Sequence, residues 1–208
     1  MKPTVFLLGD SISLHYNPIL IPATADRYEW VTKPGRAEAL KDLDVPIDAN
    51  GGSSAQVLAF LRDEDARGAL RYDYLLFNCG LHDVAIDGGK TASRVDAGHY
   101  HKNLTEIVAL AQSRGIKPIW VYTTPVVDEL HNTRAGGGMR RHNTNVLLYN
   151  AIAKEVMKGA HVPMIDLYTF TAALGKNAYA DHVHFTVPVR EAQAAFLAEQ
   201  LQTILSTY

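Results

Sequence analysis

Short apolar runs alternate along the chain with longer stretches in which apolar residues recur every three or four positions. The runs cover residues 4–8, 28–32, 72–79, 116–123 and 162–165. The first of them is continuously apolar and rich in large and β-branched side chains, the pattern of a strand buried on both faces of a parallel sheet. Helical spacing is clearest for Tyr100, Leu104, Ile107, Val108 and Ala111. It recurs for Val146, Tyr149, Ala153 and Val156, and again for Ala194, Leu197, Leu201, Ile204 and Leu205 near the end of the chain. Residues 53–62 are expected to add a further helix. Strands alternating with helices imply right-handed crossovers and a parallel sheet covered on both faces, so the pattern predicts a five-stranded α/β/α sandwich of three layers. For the second strand, residues 45–49 compete with 28–32.

Composition narrows the picture. With 208 residues, 47% of them hydrophobic, the chain can bury a substantial core, and no linker, repeat or low-complexity stretch divides it. One domain spanning 1–208 is expected. The formal net charge is −2 and the lysines and arginines are scattered, which gives no electrostatic reason to expect nucleic acid or an anionic membrane as partner. Cys79 is the only cysteine, so an internal disulfide is impossible, and its apolar surroundings suggest a core position. The first apolar stretch is far shorter than a signal-peptide core, and no later segment approaches a membrane span, so a cytoplasmic location is expected, although a processed secreted form would read the same.

The candidate chemistry lies at two distant points. Gly9-Asp10-Ser11-Ile12 follows the first strand directly, and Asp181-His182-Val183-His184 precedes the last helix, for which Thr186 is the expected N-cap with Pro188 in the first turn. A serine hydroxyl is a poor nucleophile until a base takes its proton, and an imidazole serves best when a carboxylate fixes its tautomer. Ser11, His184 and Asp181 can fill those roles, with Ser11 at a strand's carboxyl end, where open α/β sheets bind ligands. Each motif taken alone is also what an ordinary turn would use. His182, between the acid and the base, is read as a surface or supporting residue.

Acyl transfer also needs donors for the oxyanion. The glycine turn Asn50-Gly51-Gly52-Ser53-Ser54 offers the Gly52 amide, because no Cβ blocks its approach to substrate. Gly80-Leu81-His82-Asp83, at the end of the third strand, offers a ring N–H from His82.

These four segments, in this order, resemble the four sequence blocks of the GDSL or SGNH hydrolases. The resemblance spans nearly the whole chain and implies a flavodoxin-like fold with strand order 2-1-3-4-5. It further implies Ser11 as nucleophile, His184 as general base, Asp181 as its orienting acid, and the Ser11 and Gly52 amides in the oxyanion hole. His82 stands where the family usually has an asparagine. An imidazole can replace that amide donor only if a neighbour fixes its tautomer. The implied activity is that of a serine esterase working through an acyl-enzyme, without cofactor or metal. The Gly-Leu-His-Asp block points within the family to short-chain, often O-acetyl, esters of carbohydrates.

Three further readings accompany this one. The polar segment 124–145, with His131, Arg134, Arg140, Arg141 and His142 around three consecutive glycines, is expected to be a solvated loop or to face an anionic substrate group. Tyr16, Tyr122 and Tyr179 are candidates for stacking on a sugar ring. As rivals to a saccharide esterase stand a lipid- or thioester-directed relative and a non-catalytic ligand-binding module. A metal-dependent hydrolase or isomerase is also conceivable, built on His99-x-His101 and His182-x-His184 with His82, Asp83 and Asp181.

Overall fold

The structure is a computed structural model that describes residues 1–39, 41, 49–134 and 138–208. In chain order its elements are β1 (Thr4–Leu8), α1 (Ser11–Thr24), β2 (Glu29–Thr32), α2 (Arg36–Ala39), α3 (Ser54–Ala66), β3 (Tyr74–Phe77), β4 (Ile86–Asp87) and α4 (Ala97–Ser113). There follow β5 (Lys117–Val121), α5 (Asp128–Arg134), β6 (Met139–Arg140), α6 (Asn143–Gly159), β7 (Met164–Ile165), α7 (Leu167–Ala172) and α8 (Val187–Leu205). Five strands form one parallel sheet in the order β2-β1-β3-β5-β7, which is the expected 2-1-3-4-5 when only the sheet's own strands are counted.

The runs that form the central strands β1, β3 and β5 are buried on both sides, while the edge strand β2 is only partly covered. Val5, Phe6 and Leu8 in β1, Leu75 to Phe77 in β3, and Ile119 to Val121 in β5 are all at most 1% exposed. Such side chains each contribute about 1.5–3 kcal/mol by leaving water. On one side α1 packs against α8 and α7 against α8; on the other, α3 packs against α4 and α4 against α6. Trp120 and Phe77 meet edge to face, with ring centres 5.0 Å apart. Cys79 is fully buried, as its apolar setting suggested.

The second strand is Glu29–Thr32, paired to β1 from Thr4↔Glu29 to Leu7↔Thr32. Of its competitor, residues 45–48 lie outside the described residues. α1 was not foreseen, since Pro18 and Pro22 lie inside it and its buried residues follow no single face. The segment 124–145 departs from the expected long loop: it contains α5 and β6 and leads into α6, and β6 pairs antiparallel with β4 through Ile86↔Arg140. Residues 135–137, which include two of its glycines, lie outside the described residues. Among the described residues no helix is long and apolar enough to cross a membrane.

Candidate active site

Four loops converge beyond the carboxyl end of β1. Asp10 caps α1 by accepting the Ile12 N–H at 3.0 Å, which places Ser11 in the first turn. The glycine turn is tied to this one by Gly51 N–H donating to Gly9 O at 2.8 Å. The loop after β3 is tied to the glycine turn by Asp83, whose carboxylate accepts from the Ser54 N–H at 2.9 Å and from its hydroxyl at 2.5 Å. Asn103 of α4 donates to the same hydroxyl at 2.9 Å. Burial pushes the Asp83 carboxyl up to about 6 against the lowering effect of the Ser54 bonds.

Two glycines in these loops are required, Gly52 chiefly by its left-handed backbone and Gly80 by space. At Gly52, with φ of 73°, a Cβ would stand 2.3 Å from Gln56 Oε1, the atom that accepts the Ser53 N–H at the start of α3. At Gly80 a Cβ would stand 2.2 Å from the Thr123 hydroxyl, which donates to Cys79 O. The third loop can therefore pass close to the end of β5 only without a side chain at 80.

The loop before α8 delivers the remaining groups. Thr186 is the N-cap residue and Pro188 lies in the first turn, as expected, although the Thr186 hydroxyl makes no capping bond. Asp181 Oδ1 accepts from the Val183 and His184 backbone N–H groups, each at 2.7 Å, and Oδ2 lies 2.7 Å from His184 Nδ1. A carboxylate only accepts, so Nδ1 carries the imidazole proton and Nε2 is left as an acceptor. Nε2 lies 2.9 Å from Ser11 Oγ, so the hydroxyl donates to it. Burial alone would raise the Asp181 carboxyl, but the bonds from the His184 ring and from the two amides outweigh it and hold the group below the usual carboxylate range.

The three expected oxyanion donors differ in their present partners. Among the described residues the Ser11 N–H meets no acceptor, as befits the open first turn of a helix. The Gly52 N–H donates to Asn50 Oδ1 at 2.7 Å. His82 Nε2 lies 3.3 Å from Asn50 Nδ2. Burial, followed by the nearby cations Arg141 and Arg94, lowers the His82 pKa to about 4, so this ring is neutral at neutral pH.

Several side chains of the site were not assigned from sequence. His15, one helical turn after Ser11, packs its ring 4.9 Å from that of His184, and its buried Nδ1 meets no hydrogen-bond partner among the described residues. Burial foremost, then Arg190 and His184, drives its pKa down to about 3. An Asn-Gly pair is a signal for a side chain that bonds the backbone two residues on, and it could have marked Asn50. His182 lies beside the base, its ring 6.2 Å from that of His184, and its carbonyl accepts from His131 Nδ1 at 3.2 Å.

Other candidates serve structural ends. Arg141 is buried and donates from Nε to Leu81 O at 2.6 Å, so it departs from the expected solvated loop, while Arg140 is exposed, as expected, and donates to Lys90 O. Tyr16 is buried, the Tyr179 hydroxyl donates to Pro125 O and that of Tyr122 to Met164 Sδ, so these rings brace the core. His99 of the first His-x-His pair binds Asp96 in the first turn of α4. Among the described residues no three His, Cys, Asp or Glu side chains converge as metal ligands. A surface groove of about 710 Å³ lies at the opposite rim, where the strands begin, lined by Lys2, Glu29, Asp73 and Lys117, on the far side of the sheet from Ser11.

A family model described as GDSL-like lipase/acylhydrolase matches residues 7–189. Solved structures of similar shape include a lipase/acylhydrolase from Enterococcus faecalis, with a TM-score of 0.70 at 18% identity, covering 98% of this chain and 97% of that one. A GDSL-like lipase from Bacteroides thetaiotaomicron gives 0.69 at 16%, covering 97% and 89%. A psychrotrophic esterase from a Pseudoalteromonas species gives 0.67 at 10%, covering 99% and 100%. No curated protein matches the chain in sequence.

Proposed function

The chain belongs to the GDSL-like lipase/acylhydrolase family and is a carboxylic ester hydrolase, and from that premise we propose a serine esterase that removes short acyl groups, O-acetyl in particular, from a saccharide. The observation that carries this reading is the unbroken chain of hydrogen bonds from Asp181 through His184 to Ser11. In the proposed reaction Ser11 Oγ attacks the ester carbonyl while its proton passes to His184 Nε2. The imidazolium so formed is stabilised by Asp181 and returns the proton to the leaving alcohol. Water, activated by the same nitrogen, then releases the acid from the acyl-enzyme. The Ser11 N–H, unengaged at rest, is the first donor available to the oxyanion, joined by groups of the Gly52 and His82 loops.

The preference for a short acyl group on a polar alcohol rests on the rim. The segments that meet at this rim carry the polar side chains of His15, Asn50, His82, Asp181, His182 and His184, and such a surface suits hydroxyl-bearing substrates better than a long alkyl chain. Acetylated saccharides, together with aryl esters of increasing acyl length, provide the test. Release of acetate from a saccharide and falling kcat/KM with chain length are expected, whereas rates that rise with chain length would move the assignment to lipid esters. The Pseudoalteromonas esterase is described as inhibited by monoethylphosphonate. A phosphonate of that kind should add one covalent mass to this protein and none to its Ser11→Ala variant.

A further inference from the structure

Position 82 carries an imidazole, and an imidazole, unlike an amide, can present either a donor or an acceptor from the same atom. What decides between them is the group it faces. His82 Nε2 faces the side chain of Asn50 at 3.3 Å, and the orientation of that side chain is not free. The Gly52 N–H can only donate, and it points at Asn50 from 2.7 Å, so the atom that meets it is the carboxamide oxygen. The other end of the carboxamide is then Nδ2, which can only donate. His82 Nε2 must therefore be the unprotonated nitrogen. The backbone of Asn50 is itself held, since Lys33 Nζ donates to its carbonyl at 3.1 Å and the next residue's N–H is bonded to Gly9 O.

We propose that Asn50 is the positioning residue of the oxyanion hole: its carboxamide, oriented by the Gly52 N–H, locks His82 as the Nδ1–H tautomer, making Nδ1–H the ring's one donor. The ring is neutral, so it has a single proton to place, and Asn50 places it. Two of the three expected oxyanion donors are thereby governed by one side chain. Its effect on catalysis rests on the serine-esterase reading, while the tautomer itself does not.

Two measurements test the proposal. Long-range proton–nitrogen correlation spectra of the histidine rings, with His82 identified by its loss in His82→Ala, should show Nε2 as the unprotonated nitrogen in the native protein. In Asn50→Asp the carboxylate still accepts the Gly52 N–H but can no longer donate, so the proton should move to Nε2. A native spectrum with the proton on Nε2, or one unchanged in Asn50→Asp, would overturn the assignment. In kinetics, Asn50→Ala should lower kcat about tenfold or more with KM changed less than about threefold. The same substitution in a His82→Asn background, where no tautomer exists, should cost less, because the two residues act as one unit. An equal cost in both backgrounds would show that Asn50 acts only through the Gly52 turn and would sink the proposal. If instead no ester is hydrolysed by the native protein, the esterase reading fails, and the spectra still decide the tautomer.

Discussion

His184 Nε2 lies 2.9 Å from Ser11 Oγ although 173 residues separate the two along the chain. The contact depends on the parallel sheet, which sets Ser11 just beyond β1, and on the packing of α8 against α1, which brings the loop before α8 to the same rim. Ser11→Ala should reduce kcat on the order of 10⁴-fold or more while the protein keeps its far-ultraviolet circular dichroism. Substantial residual turnover in that variant would point to a nucleophile elsewhere.

Asp181→Asn is a sharper perturbation than its size suggests. The asparagine Oδ1 can still accept the Val183 and His184 amides, so the loop should survive. Its Nδ2 would then face His184 Nδ1, which must become the acceptor, and the imidazole proton would move to Nε2, opposite Ser11. A drop in kcat of about 10⁴ at nearly unchanged KM is expected from steady-state kinetics. A loss no greater than tenfold would mean that the carboxylate does not select the tautomer.

In the proposed mechanism, His82→Ala removes an oxyanion donor and leaves Ser11 and His184 in place. Turnover should fall by about 10²–10³, well short of the loss in Ser11→Ala. Full activity in His82→Ala, measured on the best substrate, would exclude the ring from oxyanion stabilisation.

Asp83 makes a signed prediction about stability. Its carboxyl titrates at about 6 in the folded protein against an ordinary value of 3.8, so the native state holds the proton more tightly than the unfolded chain. The stability linked to this group is fully present below about pH 4 and is lost as pH rises to about 6, a change on the order of 2–3 kcal/mol. Asp181, held low, works the other way: its contribution is present above about pH 4 and is lost at more acid pH. Asp83→Asn should flatten the loss between pH 4 and 6 in urea unfolding followed across that range. Parallel profiles for the native and variant proteins would refute the account.

Gly80→Ala tests the close approach of the third loop to β5. The added methyl would collide with the buried Thr123 side chain, and a destabilisation of about 1–3 kcal/mol is expected from thermal or urea melting. A Gly80→Ala, Thr123→Ala double variant should recover part of it, because the obstructing hydroxyl is gone.

Those features that depend on local rules were readable before any coordinates. The run from Thr4 to Leu8 announces a doubly buried strand, and Gly9-Asp10-Ser11 announces the turn that ends it. Asp181 and His184 are close enough in sequence for one loop to present both. What escaped reading depends on partners far away. α1 carries two prolines and buries residues on more than one side, so its helicity comes from packing against α8 rather than from periodicity. β4 and β6 are two residues each and exist only through one another, so neither has a pattern of its own. Asn50 and His82 lie 32 positions apart, and only the fold brings the Asn50 carboxamide to 3.3 Å from the His82 ring.

The two ends of the described chain share a location. Met1 borders the groove where the strands begin, and the carbonyl of Tyr208 accepts from Lys117 Nζ at 2.7 Å at the first residue of β5. Ser11 and His184 lie at the far side of the sheet. A tag, an immobilising tether or a fused partner joined at either end would thus attach on the side of the sheet away from Ser11 and His184.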